Sequence, residues 1–137
     1  MRLFIRLLWL LVLVAQQHGC ASDRAIPKEL EEQVDQGVTF DDLKASPSSY
    51  RGSLVVLGGE VLTAKRLKQG TQIEVLQLPL DRTMRPNGER TASQGRFLAV
   101  EPEFLDPATL TEGTPITVVG EVTGADTQRL DEVEYTY

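Results

Sequence analysis

The run Leu54-Val55-Val56-Leu57-Gly58-Gly59-Glu60-Val61-Leu62-Thr63 constrains the fold of this chain more than any other stretch. Four consecutive apolar residues, two of them β-branched, favour a well-buried strand. The glycine pair then removes two side chains from its middle. Within a strand this marks a bulge or sharp bend, as at the corner of a small closed barrel.

Downstream the chain stays β-rich. Residues 65–70 read as a basic turn, and 71–78 as a second strand, with Ile73 and Val75 on one face, Leu76 and Leu78 on the other, and Pro79 as its end. Residues 81–94 form a polar loop turning at Pro86-Asn87-Gly88. A third strand covers 95–100. Phe104-Leu105, between two prolines, reads as a lid on the barrel end. A fourth strand covers 115–124, with Ile116, Val118 and Val122 on one face and Gly120 as a second bend. The last, 129–137, alternates Val133, Tyr135 and Tyr137 with Glu132, Glu134 and Thr136. Ahead of these, Thr39 is placed to cap a short helix with Asp41 and Asp42 in its first turn, which Ser46-Pro47 ends. The expectation is a mainly β fold: a small antiparallel barrel, OB-like, of about five strands with one short N-terminal helix.

The amino terminus has a different character. Arg2 and Arg6 precede nine apolar residues, 7–15, and then Gln16-Gln17-His18-Gly19-Cys20. As a helix the apolar run is roughly 14 Å long, about half of a ~30 Å hydrocarbon core. It is too short to span a membrane and the right length for an export signal. A small residue directly before the chain's one cysteine narrows the pattern to a bacterial lipoprotein signal, although Gln17 and His18 stand where a leucine and a small residue are usual. The alternative, an ordinary export signal with a stray cysteine, leaves an unpaired thiol in an oxidising compartment. On the lipoprotein reading, residues 1–19 are the signal peptide, 20–38 a lipidated tether and 39–137 the β domain. The tether admits either a short helical turn after Pro27 or an extended linker. Ala21, where an aspartate would retain many Gram-negative lipoproteins in the inner membrane, favours the outer one.

Removing residues 1–19 leaves 12 Lys and Arg against 20 Asp and Glu, a net charge of −8. That argues against nucleic acid and against electrostatic docking on anionic lipid, so attachment falls to the acyl chains on Cys20. The one histidine, His18, is lost with the signal, and Cys20 is consumed by lipid. No imidazole or thiol is then left for a nucleophilic triad or a zinc site. No catalytic residue, metal or cofactor is expected. Arg82, Arg85, Arg90 and Arg96 gather near the long loop, and Arg85, Arg90 and Arg96 are the candidates for contact with a glycan, a lipid headgroup or an envelope protein. Their plainer role is to balance nearby acids. Asp81 and Asp106 could pair as carboxylates of a hydrolase, but turn formation is the commoner use of aspartate beside proline. Tyr50, Tyr135 and Tyr137 suit packing at the barrel rim.

Together these residues resemble a known family, the Slp-type outer-membrane lipoproteins. The resemblance is carried by Gly19-Cys20, Ile26-Pro27, Tyr50-Arg51-Gly52, Gly58-Gly59, residues 71–81, Arg85-Pro86, Gly95-Arg96-Phe97, Phe104-Leu105-Asp106-Pro107, Thr117-Val118-Val119-Gly120 and Tyr135-Thr136-Tyr137. It implies a lipid-anchored, periplasm-facing domain at the outer membrane with no established enzymatic activity; the expected role is envelope- or stress-related. It also implies a chain that usually runs past the Tyr-x-Tyr end.

Overall fold

The computed structural model describes residues 23–130 and 133–137 of the chain. The fold is mainly β, as the patterning predicts. Four antiparallel strands, β1 (Leu54–Leu67), β2 (Gly70–Leu78), β3 (Arg96–Glu101) and β4 (Pro115–Glu121), form a curled half-barrel in the order β3-β2-β1-β4. The last expected strand is divided. β5 (Thr127–Leu130) and β6 (Val133–Thr136) pair with each other, Leu130 opposite Val133, in a separate two-stranded sheet.

β1 makes the curl. Its first half pairs with β4 from Leu54–Glu121 to Glu60–Pro115, and its second half pairs with β2 from Gly58–Leu78 to Leu67–Gly70. Residues 58–60 pair with strands on both sides, and Val61 pairs with Val75 while bonding to Thr114 and Gly113 ahead of β4, so the sheet turns there. At Gly59 the crossing leaves no room for a side chain, and at Gly58 one would have to displace Leu80. A Cβ on Gly59 would lie 2.2 Å from the Leu76 carbonyl oxygen, and one on Gly58 2.2 Å from Leu80 Cδ2. The register shift itself comes further along, between Val61 and Thr63. The turn joining β1 to β2 is only Lys68-Gln69, so most of the expected basic turn is strand.

Alternate residues of β1 to β4 face one core, in which Phe40, Val61, Ile73, Val75 and Phe97 are buried and Leu57, Ala99, Leu105, Leu110, Ile116 and Val118 pack around them. Phe40 belongs to α2 (Phe40–Ala45), which follows the four-residue α1 (Lys28–Glu31). α2 starts where the sequence places it. Thr39 Oγ1 accepts from the Asp42 N–H at 3.2 Å, while the Asp42 carboxylate accepts from the Thr39 N–H at 2.9 Å, a reciprocal capping box. The helix is held on the sheet by Phe40 against Phe97, ring centroids 6.2 Å apart, and by Lys44 Nζ and Asp41 bonding to Gln94. The lead-in also docks: Ile26 and Val34 are buried, and the Ala25 and Asp35 N–H groups donate to the Thr83 and Leu54 carbonyls. Of the two forms open to it, residues 28–31 take the helical turn. Leu105 packs as the lid residue, whereas its neighbour Phe104 turns outward, 54% exposed.

Candidate functional site

The long loop is organised by Asp81. Its Oδ1 accepts from the Thr83 N–H and hydroxyl, each at 2.7 Å, and from the Arg85 N–H at 3.1 Å. These bonds, chiefly the one from the Thr83 hydroxyl, hold the carboxyl below its ordinary pKa. The loop is tied down where Leu80 bridges Pro86, and where the Thr117 hydroxyl donates to the Met84 carbonyl at 2.6 Å.

The three candidate arginines face different acids. Arg85 Nη2 reaches Asp23 at 3.5 Å across open surface. Arg90 Nε meets Glu60 at 2.8 Å, and its Nη2 approaches Glu112 at 3.8 Å. Arg96 Nη1 meets Glu74 at 2.8 Å. Each guanidinium is thus tied to a carboxylate on a separate segment: the lead-in, β1 and β2. In exposed settings such pairs contribute about 0–1 kcal/mol each.

Arg96 belongs to a small network. Glu74 Oε1 accepts from Arg96 and also from the Tyr137 hydroxyl at 2.9 Å. Burial, then the bond to Glu74, raises the Tyr137 phenol above its ordinary pKa, and the bond to Glu74 raises the Arg96 guanidinium further. A group whose folded pKa lies above the unfolded value adds stability below the unfolded one, about 10 for a phenol, and loses it as pH rises through the folded value. Tyr137→Phe should therefore cost about 0.5–1.5 kcal/mol at neutral pH and flatten the alkaline limb of the stability profile. Urea unfolding at neutral pH and above pH ~10 measures both.

Asp81 and Asp106 do not form a catalytic pair. Asp106 Oδ1 caps the 3-10 turn Pro107–Thr109 by accepting from the Ala108 N–H at 2.9 Å. It follows Leu105, whose N–H donates to Thr71 at the start of β2, whereas Asp81 lies beyond Leu78 at the other end. Seven steps of strand separate those ends, roughly 23 Å at ~3.3 Å per residue. Both carboxylates are turn-formers.

Among the described residues no group of three or more His, Cys, Asp or Glu is placed to hold a metal, and no helix is long and apolar enough to cross a membrane. Cys20, with Gln17 and His18, lies outside the described residues. One feature escaped the sequence reading: an open groove of about 380 Å³ between the β1–β2 hairpin and the chain leaving β3, lined by Arg66, Leu67, Lys68, Pro102 and Phe104 among others. Its signal was the run Lys65-Arg66-Leu67-Lys68, read only as a turn.

No solved structure matches the chain. A protein of Escherichia coli (strain K12) described as "Outer membrane protein Slp" is 29% identical over 119 residues, covering 85% of this chain and 62% of that protein. A Haemophilus influenzae (strain Rd) protein described as "Uncharacterized protein" is also 29% identical over 119 residues, covering 87% of this chain and 63% of its own length. The chain thus spans somewhat less than two thirds of the curated relatives it matches. The family model "Outer membrane lipoprotein Slp family" matches residues 18–137, nearly the whole chain. With that match, and with the mainly β fold and the terminal cysteine pattern, this chain belongs to the outer membrane lipoprotein Slp family.

Proposed function

We propose that this outer-membrane lipoprotein is anchored by lipid on Cys20, presents its β domain to the periplasm, and serves an envelope or stress-related role without catalysing a reaction. The observation that carries this reading is the lone cysteine directly after Gly19 at the end of a nine-residue apolar run. The start of the family match at residue 18, beside that cysteine, supports it. With residues 1–19 removed and Cys20 acylated, the chain holds no imidazole and no free thiol, and its two best-placed aspartates serve turns.

Mass spectrometry of the mature N-terminus tests this directly. The expected species begins at Cys20 and carries acyl groups; an unmodified Cys20, or cleavage elsewhere, overturns the anchor. Cys20→Ala should move the protein from the membrane fraction to the soluble one on cell fractionation. Persistence at the membrane would count against covalent anchorage.

The rival reading, a binding module acting through residues 81–94, is weaker because Arg85, Arg90 and Arg96 are already met by acids. Replacing all three with Ala and repeating a pull-down from envelope extract tests it. A changed partner set would favour it.

A further inference from the structure

We infer that the β1–β2 hairpin tip is a second membrane contact, a basic and apolar finger for anionic phospholipid. The three large apolar side chains most exposed among the described residues, Val100 at 59%, Phe104 at 54% and Leu67 at 38%, all belong to this end of the sheet. Leu67 closes β1 beside the turn, and Val100 pairs with Gln72, which in turn pairs with Lys65. Phe104 is held under the Arg66 guanidinium, 4.4 Å from carbon to ring centroid. Hairpin and β3 exit touch so closely that a Cβ on Gly70 would lie 2.0 Å from the Glu101 carbonyl oxygen.

Charge is concentrated here against the trend of the chain. Three of the twelve basic residues in 20–137, Lys65, Arg66 and Lys68, fall within four positions, all exposed. Three acids stand nearby: Glu74, which shares a small hollow with Lys65 but is engaged by Arg96 and Tyr137, and Glu103 and Glu101, the latter turned back to accept the Glu103 N–H at 3.1 Å. The net charge of −8 disfavours a general attraction to anionic lipid, but only charges within a Debye length of the surface, about 8–10 Å, are felt there. The pattern favours lipid over protein as the occupant. Lysine is depleted at protein interfaces, whereas at a bilayer surface lysine and arginine reach the headgroups while neighbouring apolar side chains enter below them.

Placement gives the contact a consequence. Asp23, three residues after Cys20, lies by Arg85 beyond the far end of β2 from the tip. The nine-residue β2 separates the two ends by about 26 Å at ~3.3 Å per residue. An anchor at one end and a finger at the other lay the sheet along the bilayer.

The test uses the full chain carrying Trp9→Phe and Phe104→Trp, which leaves position 104 as the one indole whether or not residues 1–19 are removed. With vesicles containing phosphatidylglycerol, its emission should shift to the blue and be quenched by brominated acyl chains. Both effects should weaken in high salt, and both should be lost in pure phosphatidylcholine and in a Lys65→Glu, Arg66→Glu, Lys68→Glu background with unchanged far-UV circular dichroism. Unshifted emission from protein that floats with phosphatidylglycerol vesicles overturns the inference and leaves the anchor standing. A shift that survives the triple substitution, or one given by an anionic polysaccharide and not by vesicles, also overturns it.

Discussion

Replacing Phe97 with Ala is expected to remove about 3–5 kcal/mol of stability, the usual range for deleting a buried phenyl ring. Domains of this size are stable by only about 5–15 kcal/mol, so the variant would be near its unfolding threshold. Phe97 is 8% exposed, lies opposite Val75 on the edge strand β3, and meets Phe40 at 6.2 Å with the rings tilted by 58°. That pair is part of the apolar link between α2 and the sheet, in which Phe40 shares the core with Val61, Ile73 and Val75, and hydrogen bonds to Gln94 add polar ties. Thermal unfolding followed by circular dichroism gives the comparison. A loss below about 1 kcal/mol would mean that the site collapses around the missing ring and that α2 is held by its polar contacts.

The second large effect is expected at Gly59. An alanine there drives its methyl group to within 2.2 Å of the Leu76 carbonyl oxygen and 2.6 Å of Val75 Cγ1. Backbone on a neighbouring strand cannot rotate out of the way, so β1 and β2 must separate at the crossing. Overpacking of this kind costs about 1–3 kcal/mol. Gly120→Ala is the control. Gly120 lies on β4 opposite Val55, and the nearest atom to its new methyl group, Val118 Cγ1, is 4.0 Å away, so it should be tolerated. Equal losses at the two positions would show that strand entropy, and not the crossing, explains the glycines.

Much of this architecture was legible in the chain. Thr39, Asp42 and Pro47 marked both ends of α2 because capping and proline sterics act within a few residues. The strands were marked by apolar runs, and turn residues separated them. What escaped depends on contacts between distant segments. One division had a local signal: Val133, Tyr135 and Tyr137 alternate with polar residues, but Leu130 falls out of phase with them, and the strand is divided between Leu130 and Val133. Gly58 and Gly59 announced an irregularity, but their cause is Leu76 and Leu80, known only once β2 and the loop after it are in place. The candidate site follows the same rule. Aspartates beside prolines were readable as turn-formers. The acids facing Arg85, Arg90 and Arg96 come from Asp23, Glu60 and Glu74, too far along the chain for spacing to reveal. Phe104 and Leu105 look equivalent in sequence; only the sheet beneath them decides which turns inward.

The divided pairing of β1 also sets an order of events as the chain folds. Its second half meets β2 across a two-residue turn, a hairpin of the kind that closes in about 1–10 μs. Its first half waits for β4, whose pairing partners lie 55 to 67 residues further on, from Glu60–Pro115 to Leu54–Glu121. That loop must be closed before any of its contacts repay the lost entropy. Amide protection during refolding should therefore appear in the hairpin pair Lys65–Gln72 before Val61, whose N–H donates to the Thr114 carbonyl ahead of β4, and before the β1–β4 pair Leu57–Val118. Until β4 arrives, Leu54-Val55-Val56-Leu57 is an apolar edge with open hydrogen-bonding groups, the surface on which two unfinished copies would pair. The strand that shapes the finished half-barrel is also, for a time, the chain's point of greatest exposure to self-association.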